Sequence, residues 1–192
     1  MAIRAAYTSL EVPTHTDWNS YVLNGALVYL AEYDVSSLVS VIDMAYAFSY
    51  PKEQFRNFRV VLGNLVGGAA NLLLIQMENG STPAGPALYN GNNRTIDTAG
   101  TPTNDVRVNA AAFIPGTLAT STSLKSYYVF DICNPQSGFA TTIQGRGGQL
   151  GATQTIFSGQ LNNTTEYDGL SVTCFTSTIQ GTCQVYGYRT EL

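Results

Sequence analysis

Charged residues are scarce in this chain of 192 residues. They make up 11% of the sequence, less than half of the roughly 25% that is typical of soluble proteins. The net charge is −4 and the only lysines are Lys52 and Lys125, so no basic patch is expected and nucleic acid is not an expected partner. Ser, Thr, Asn, Gln and Gly must cover the surface instead, which is typical of strand faces and tight turns.

The sequence has no apolar run long enough to cross a membrane. The longest such stretch, residues 60–75, is interrupted by Gly63 and by the pair Gly67-Gly68, which favours strands joined by a turn over a membrane span. Residues 1–10 lack the basic start and continuous apolar core of a signal peptide, so export by that route is not expected.

Reactive side chains are also few. His15 is the only histidine, and no GxSxG nucleophile turn accompanies it, so a catalytic triad is not expected. The cysteines are Cys133, Cys174 and Cys183; they form no CxxC pair and predict no structural zinc site. The glycine-rich stretches lack the Lys-Ser/Thr pair of a phosphate-binding loop. The sequence therefore predicts no enzyme, no cofactor and no metal.

Glycan cleavage is the one catalytic alternative that the composition leaves open, because it needs only two carboxyl groups ~5 to 10 Å apart. Glu32 with Asp34, and Glu166 with Asp168, have a spacing that places both carboxyl groups on one face of an extended segment. Glu166 and Asp168, however, lie in the sequence NNTTEYDG, where acidic side chains commonly bond to the local backbone. A glycan-cleaving depolymerase is therefore the least favoured alternative.

The spacing of apolar runs and turn residues predicts an all-β chain. Short strands separated by Gly, Asn and Pro indicate an antiparallel sandwich, and no sustained helical period occurs. Residues 26–31 could form a helical turn, but strands are favoured there. The predicted strands lie within residues 19–47, 54–65, 69–77, 125–133, 139–145, 152–158, 170–177 and 183–189.

Two predictions concern the connections. The pair Gly67-Gly68 between two apolar runs predicts a β-hairpin, because glycine tolerates the positive φ of primed turns. Residues 79–116 are dense in Gly, Pro, Asn and Thr, which predicts long surface loops that carry short strands.

Cys174 and Cys183 form a candidate disulfide. They lie on the two arms of a predicted closing hairpin, and a two-residue loop at Thr178-Ile179 would place them directly opposite each other, within the reach of a disulfide. A longer loop that includes Gly181 would send the two side chains to opposite faces. A reducing cytosol favours free thiols in any case, so both states stay open.

Three stretches of the chain follow one another in an order that is known from one class of β-domain. They are FRVVLGNLVGGAANLLLIQMENGSTPAG, LKSYYVFDICNPQSGFATTIQGRGG and DGLSVTCFTSTIQGTCQVYGYR. They resemble, in order, a hairpin followed by a polar Asn-Gly-Ser/Thr turn, a strand that ends in an Asn-Pro loop, and a closing hairpin, as found in the β-sandwich head domains of tailed-bacteriophage tail fibres and related virion proteins. The resemblance implies a jelly-roll-like antiparallel sandwich, usually trimeric, on the surface of a virion.

The expected architecture is a short N-terminal arm, residues 1–18, followed by a single β-sandwich domain, residues 19–192. The polar arm holds the only histidine, His15, and the only tryptophan, Trp18, and is the candidate attachment segment. The leading prediction is a non-enzymatic structural protein of a tailed bacteriophage, made in the host cytoplasm, that docks on other virion proteins at the tail or fibre or as a capsid-decorating protein. Low charge and 12 tyrosines favour a homo-oligomer, with a trimer expected.

The alternative is a receptor-binding tail module. Residues 80–105, as a predicted loop region, would present Tyr89, Asn90, Asn92 and Asn93 to a glycan of the host surface. Aromatic rings and amides suit this role because they combine stacking with hydrogen bonding.

Overall fold

The computed structural model describes residues 27–120 and 123–189. The predicted attachment arm, with His15 and Trp18, lies outside these ranges. Within them all regular structure is β-strand, and there is no helix, hence none long and apolar enough to cross a bilayer. The strands are β1 (Leu27–Val39), β2 (Ile42–Met44), β3 (Phe55–Gly67), β4 (Leu72–Asn79), β5 (Thr82–Pro83), β6 (Tyr89–Asp97), β7 (Pro102–Ala110), β8 (Phe113–Thr117), β9 (Ser126–Cys133), β10 (Thr142–Gln149), β11 (Thr153–Leu161), β12 (Gly169–Cys174) and β13 (Ile179–Arg189).

The strands form two sheets in which every pairing is antiparallel. The larger sheet has eight strands in the order β1-β13-β3-β9-β10-β11-β6-β7. The smaller sheet has five, in the order β2-β12-β4-β5, with β8 also paired to β4. The predicted all-β antiparallel sandwich is confirmed.

Eight of the strands follow the order of a jelly roll. In that fold a long antiparallel hairpin is rolled up, so that the first strand pairs with the last and the strands divide between two sheets. Here β1-β13-β3-β9 form one half and β2-β12-β4-β8 the other. The remaining strands are additions: β10, β11, β6 and β7 widen the larger sheet, and β5 pairs with β4 in the smaller one.

Alternating side chains build the core between the sheets. On β13, Cys183 and Val185 are buried, whereas the alternate residues Gln184 and Tyr186 face outward. This period of two is what a strand with one buried face requires. The largest fully buried side chains from both sheets are Phe48, Phe58, Leu62, Leu65, Tyr89, Tyr128 and Phe130 with Ile42, Met44, Leu73, Ile75 and Met77.

The hairpin predicted at Gly67-Gly68 is wrong. β3 pairs with β13 and β9 in the larger sheet, and β4 pairs with β12, β5 and β8 in the smaller one. The amide of Gly67 donates to the carbonyl of Ala119, and that of Gly68 donates to the carbonyl of Thr178, both at 2.8 Å. Neither glycine has a positive φ, so the segment is a crossing between sheets. Two apolar runs around a glycine pair do not by themselves tell a hairpin from such a crossing.

The long loops predicted for residues 79–116 are also wrong, because β6 and β7 form a hairpin there. Its turn contains Gly100 at φ 78°. The Asp97 carboxylate closes the turn by accepting the amides of Ala99 at 2.9 Å and Thr101 at 2.8 Å. The outer face of this hairpin is open to solvent and, apart from Ile96, Val106 and Val108, its side chains are polar. Its sequence therefore has little of the apolar content by which strands are usually recognised.

Candidate functional site

The predicted ligand loop is a strand, because Tyr89, Asn90, Asn92 and Asn93 all belong to β6. Tyr89 is only 1% exposed and is therefore unable to meet a ligand. The Asn93 side chain is also directed away from the open face, and its amide donates to the carbonyl of Ile114 at 2.9 Å. Only Asn90 and Asn92 reach the outer face of the larger sheet, so two of the four predicted residues remain candidates for a surface site.

Asn92 lies in a shallow groove on the outer face of the larger sheet. Two adjoining depressions of about 470 and 510 Å³ share Asn92, Gln144 and Ser158. The Ser158 hydroxyl is 2.9 Å from the amide oxygen of Asn92. Amides and hydroxyls thus form the middle of this groove, and they can both donate and accept hydrogen bonds.

An aliphatic patch borders the groove on the adjacent strands β11, β6 and β7. We define it as Ile96, Val106, Val108 and Ile156, whose side chains all face outward. Val106 is 74% exposed, Val108 and Ile156 are each 68% exposed, and Ile96 is 40% exposed. β7 is the last strand of the sheet, so the aliphatic patch lies at a sheet edge. The patch is interrupted by charge, because Ile156 lies directly opposite Arg94 on one side and Arg146 on the other. Several exposed apolar side chains near a sheet edge favour a surface that another molecule covers.

A charged cluster borders the groove on its other side. The Arg59 guanidinium donates two hydrogen bonds to the Asp131 carboxylate, at 2.8 and 2.9 Å, and the Tyr188 hydroxyl donates a third at 2.7 Å. Arg59 also lies over the Tyr188 ring, 5.5 Å from its centre. Burial alone would raise the pKa of Asp131, but the bonds from Arg59 and Tyr188 hold it below its usual value. The cluster joins β3, β9 and β13, and its charged and polar groups form hydrogen bonds with one another.

A second concavity, the end pocket, lies between the segment before β3 and the loop between β9 and β10. It has a volume of about 370 Å³, within the range of small-molecule sites. The Phe139 side chain, 72% exposed, forms part of its wall. The lining consists of Lys52, Glu53, Phe55, Arg56, Asn134, Gln136, Ser137 and Phe139. No sequence motif marks this pocket, because its residues come from two separate segments.

Three of the four carboxylates considered for glycan cleavage, all except Asp34, are engaged in other contacts. Glu32 accepts hydrogen bonds from Tyr29 and Gln184. Glu166 forms an ion pair with Lys52 at 2.5 Å, and the Asp168 carboxylate accepts the amide of Gly80 at 2.7 Å. Within the described ranges, no group of three His, Cys, Asp or Glu side chains is placed to hold a metal ion.

The predicted facing of Cys174 and Cys183 is wrong. Cys174 ends β12 in the smaller sheet, opposite Leu73, whereas Cys183 lies on β13 in the larger sheet, opposite Leu62. β12 and β13 are therefore not a hairpin, and both thiols are free. Burial raises the pKa of both thiols, that of Cys183 to about 12. As at Gly67-Gly68, no residue pattern in this segment indicates that the chain changes sheets.

One buried acid was not identified from the sequence. Glu78 on β4 is only 4% exposed, and its Oε2 atom has no hydrogen-bond partner among the described residues. Burial raises the pKa of Glu78, and the nearby charges of Asp43 and Asp168 raise it further, against a hydrogen bond with Ser171 that lowers it. The signal in the sequence is a Glu at the end of a mostly apolar strand. Such a position could have suggested an unusual acid, since Glu is rarely buried without a partner.

Comparison with known proteins finds no matching protein family. It also finds no curated protein with a similar sequence.

Proposed function

We propose that this chain is a non-enzymatic structural protein of a virus particle, of the tailed-bacteriophage type. It docks on copies of itself and on other virion proteins, and its place in the host cell is the cytoplasm until the particle assembles. The jelly-roll strand order supports the proposal by analogy, since this fold is common in capsid and lectin domains. The observation that carries the proposal is the aliphatic patch on an open sheet face.

The aliphatic patch and the groove together have the composition of a protein interface. Interface cores combine apolar contacts with hydrogen bonds and are depleted in Lys, Glu and Asp, whereas Arg is enriched. Here Val106 and Val108 lie beside the uncharged Asn92, Gln144 and Ser158. Covering the patch removes apolar surface from water, which stabilises the complex by roughly 25 cal/mol per Å². A homo-oligomer, with a trimer as the expected form, would bury it in this way.

The geometry of β7 favours docking through its face over docking by strand addition. Asp105 and Arg107 alternate with Val106 along this edge strand and form an ion pair at 2.6 Å on its inner side. Charged side chains that point inward at an edge discourage a second chain from pairing there. The outward valines therefore provide the contact, and the edge itself remains protected.

A matched pair of variants tests the assembly proposal. The double variant Val106→Asp, Val108→Asp places two charges in the aliphatic patch, and it should leave a folded monomer that is no longer incorporated into particles. Leu38→Asp is the control, because Leu38 is 49% exposed on β1, at the opposite edge of the larger sheet from the patch. Light scattering measures the oligomer, and quantitative mass spectrometry of purified particles measures incorporation. Normal assembly of the double variant would contradict the proposal.

The arm provides a separate test of attachment. We expect deletion of residues 1–18, which include His15 and Trp18, to leave the sandwich folded and to abolish incorporation into particles. Thermal unfolding checks the fold. Incorporation at normal stoichiometry would show that the arm is not the attachment segment.

The second candidate function is recognition of a glycan on the host surface. The end pocket favours it, because an exposed aromatic ring and several hydrogen-bonding side chains meet there. A depolymerase has less support, since Glu32, Glu166 and Asp168 are all engaged in hydrogen bonds or an ion pair. Binding without cleavage is therefore the form of this alternative that we favour.

A further inference from the structure

The walls of the end pocket are fixed by the backbone. Asn134 adopts a left-handed φ of 58°, and its amide donates to the carbonyl of Arg56 at 3.2 Å, which ties the loop to β3. The Ser137 hydroxyl donates back to the carbonyl of Asn134 at 3.0 Å. The carbonyl of Pro135 accepts the amide of Tyr167 at 2.7 Å. A pocket held in this way is formed before a ligand arrives, which lowers the entropic cost of binding.

Phe139 gives the pocket an open aromatic surface. It is 72% exposed, and its ring contacts no other ring among the described residues. The buried aromatic rings, such as Phe55 and Phe58, pack against each other instead. An aromatic face beside polar groups offers an apolar surface to a ligand that also needs hydrogen bonds.

The polar side chains of the pocket have unused hydrogen-bonding capacity. The amide oxygen of Gln136 is buried and has no hydrogen-bond partner in the described part of the chain, which is costly. Because no hydrogen bond holds this oxygen, the amide can turn toward a donor on a ligand. The Arg56 guanidinium has no ion-pair partner within residues 27–120 and 123–189 and contributes donors.

The charged side chains of the lining are of both signs. Lys52 is already paired with Glu166 at 2.5 Å, and Glu53 and Arg56 both belong to the lining, so the pocket has no cluster of unopposed cations for a phosphate. An apolar ligand would leave Gln136 and Arg56 without partners. A pyranose meets both requirements, since its hydroxyls donate and accept while its C–H face is apolar.

We propose that the end pocket binds one pyranose ring of a saccharide, with the C–H face of the sugar on Phe139 and its hydroxyls bonded by Gln136 and Arg56. The inference rests on the second candidate function, glycan recognition. It is independent of the aliphatic patch, which lies on the outer face of the larger sheet. A virion protein can carry both surfaces.

Saturation-transfer NMR of the full chain tests the inference. The probes are the methyl glycosides of glucose, galactose, rhamnose and N-acetylglucosamine. We expect at least one to bind, and we expect Phe139→Ala and Gln136→Leu each to weaken its binding at least tenfold. Phe175→Ala is the control, because Phe175 is a half-exposed phenylalanine outside the pocket, and it should bind as the wild type does.

Two results would overturn the inference. One is that none of the four glycosides receives saturation from the wild-type chain. The other is that Phe139→Ala binds the sugar with unchanged affinity while its thermal unfolding shows a native fold. Light scattering of the same variants keeps the two proposals apart, since Phe139→Ala should still form the wild-type oligomer.

Discussion

The hydroxyl of Tyr89 accepts a hydrogen bond from the backbone amide of Met77 at 2.9 Å. Tyr89 begins β6 of the larger sheet and Met77 lies on β4 of the smaller one, so this bond joins the two layers inside the core. The Tyr89 ring also packs edge-on against Phe113, with the ring centres 4.8 Å apart. Burial raises the pKa of Tyr89 well above its usual value, so the hydroxyl stays neutral.

We expect Tyr89→Phe to destabilise the protein by about 1 to 3 kcal/mol, because the buried amide of Met77 loses its acceptor without gaining access to water. Chemical denaturation with urea measures the free energy of unfolding. Tyr127→Phe is the matched control, since Tyr127 is half exposed on β9 and should change stability by much less. Equal stability of Tyr89→Phe and the wild type would mean that the bond contributes nothing.

The cluster of Arg59, Asp131 and Tyr188 should make the fold sensitive to acid. The pKa of Asp131 is lower in the folded state than its ordinary value of 3.8, so its contribution is fully present above about pH 4. It is lost as the pH falls through the folded-state pKa. Asp131→Asn should cost about 1 to 2 kcal/mol at neutral pH and should flatten the decline of stability in acid.

The exposed pair of Asp105 and Arg107 provides the control for that cluster. Asp105→Asn removes an ion pair in which both side chains are 37% exposed, so we expect a loss of at most about 1 kcal/mol. Thermal unfolding between pH 2 and pH 7 compares the two variants. A steeper acid response in Asp131→Asn than in the wild type would contradict the prediction.

Glu78 should lower the stability of the fold as the pH rises, which is the opposite of the effect of Asp131. Its pKa is higher in the folded state than its ordinary value of 4.5, so the stability that it contributes is present below pH 4.5 and is lost as the pH rises through the folded-state pKa. We expect Glu78→Gln to raise the melting temperature at pH 8 and to change it less at pH 4. Asp34→Asn, at an exposed position of β1, should have little effect at either pH. A lower melting temperature of Glu78→Gln at pH 8 would contradict the prediction.

The three thiols should differ in reactivity. Cys183 is fully buried, with its pKa raised to about 12, so maleimide should label it only after the protein unfolds. Cys133 is partly exposed and should react first. Peptide mapping under non-reducing conditions measures both the labelling and any crosslink. A peptide that joins Cys174 to Cys183 would contradict their placement in different sheets.

Several features of the fold could be predicted from the sequence. Alternating apolar residues identified β9 and β13 as strands, because the period of two is local and one face of each strand is buried. The binding or structural role that the scarcity of charge and of histidine indicates stays a prediction. Predicting a β-sandwich required only the number of strands and their spacing.

Only the tertiary structure decided which strands pair. Gly67-Gly68 and the segment from Cys174 to Cys183 both read as hairpins, yet both are crossings between sheets, because β3 pairs with β13 in the larger sheet and β4 pairs with β12 in the smaller one. β6 read as a loop, since most of its outward side chains are polar, and Tyr89 faces the core from it. The end pocket could not be read at all, because Arg56 and Phe139 meet only when the loop after β9 folds against β3. The sequence by itself determined most of the strands, because their period of two is local, whereas the pairing of distant strands determined where the sites lie.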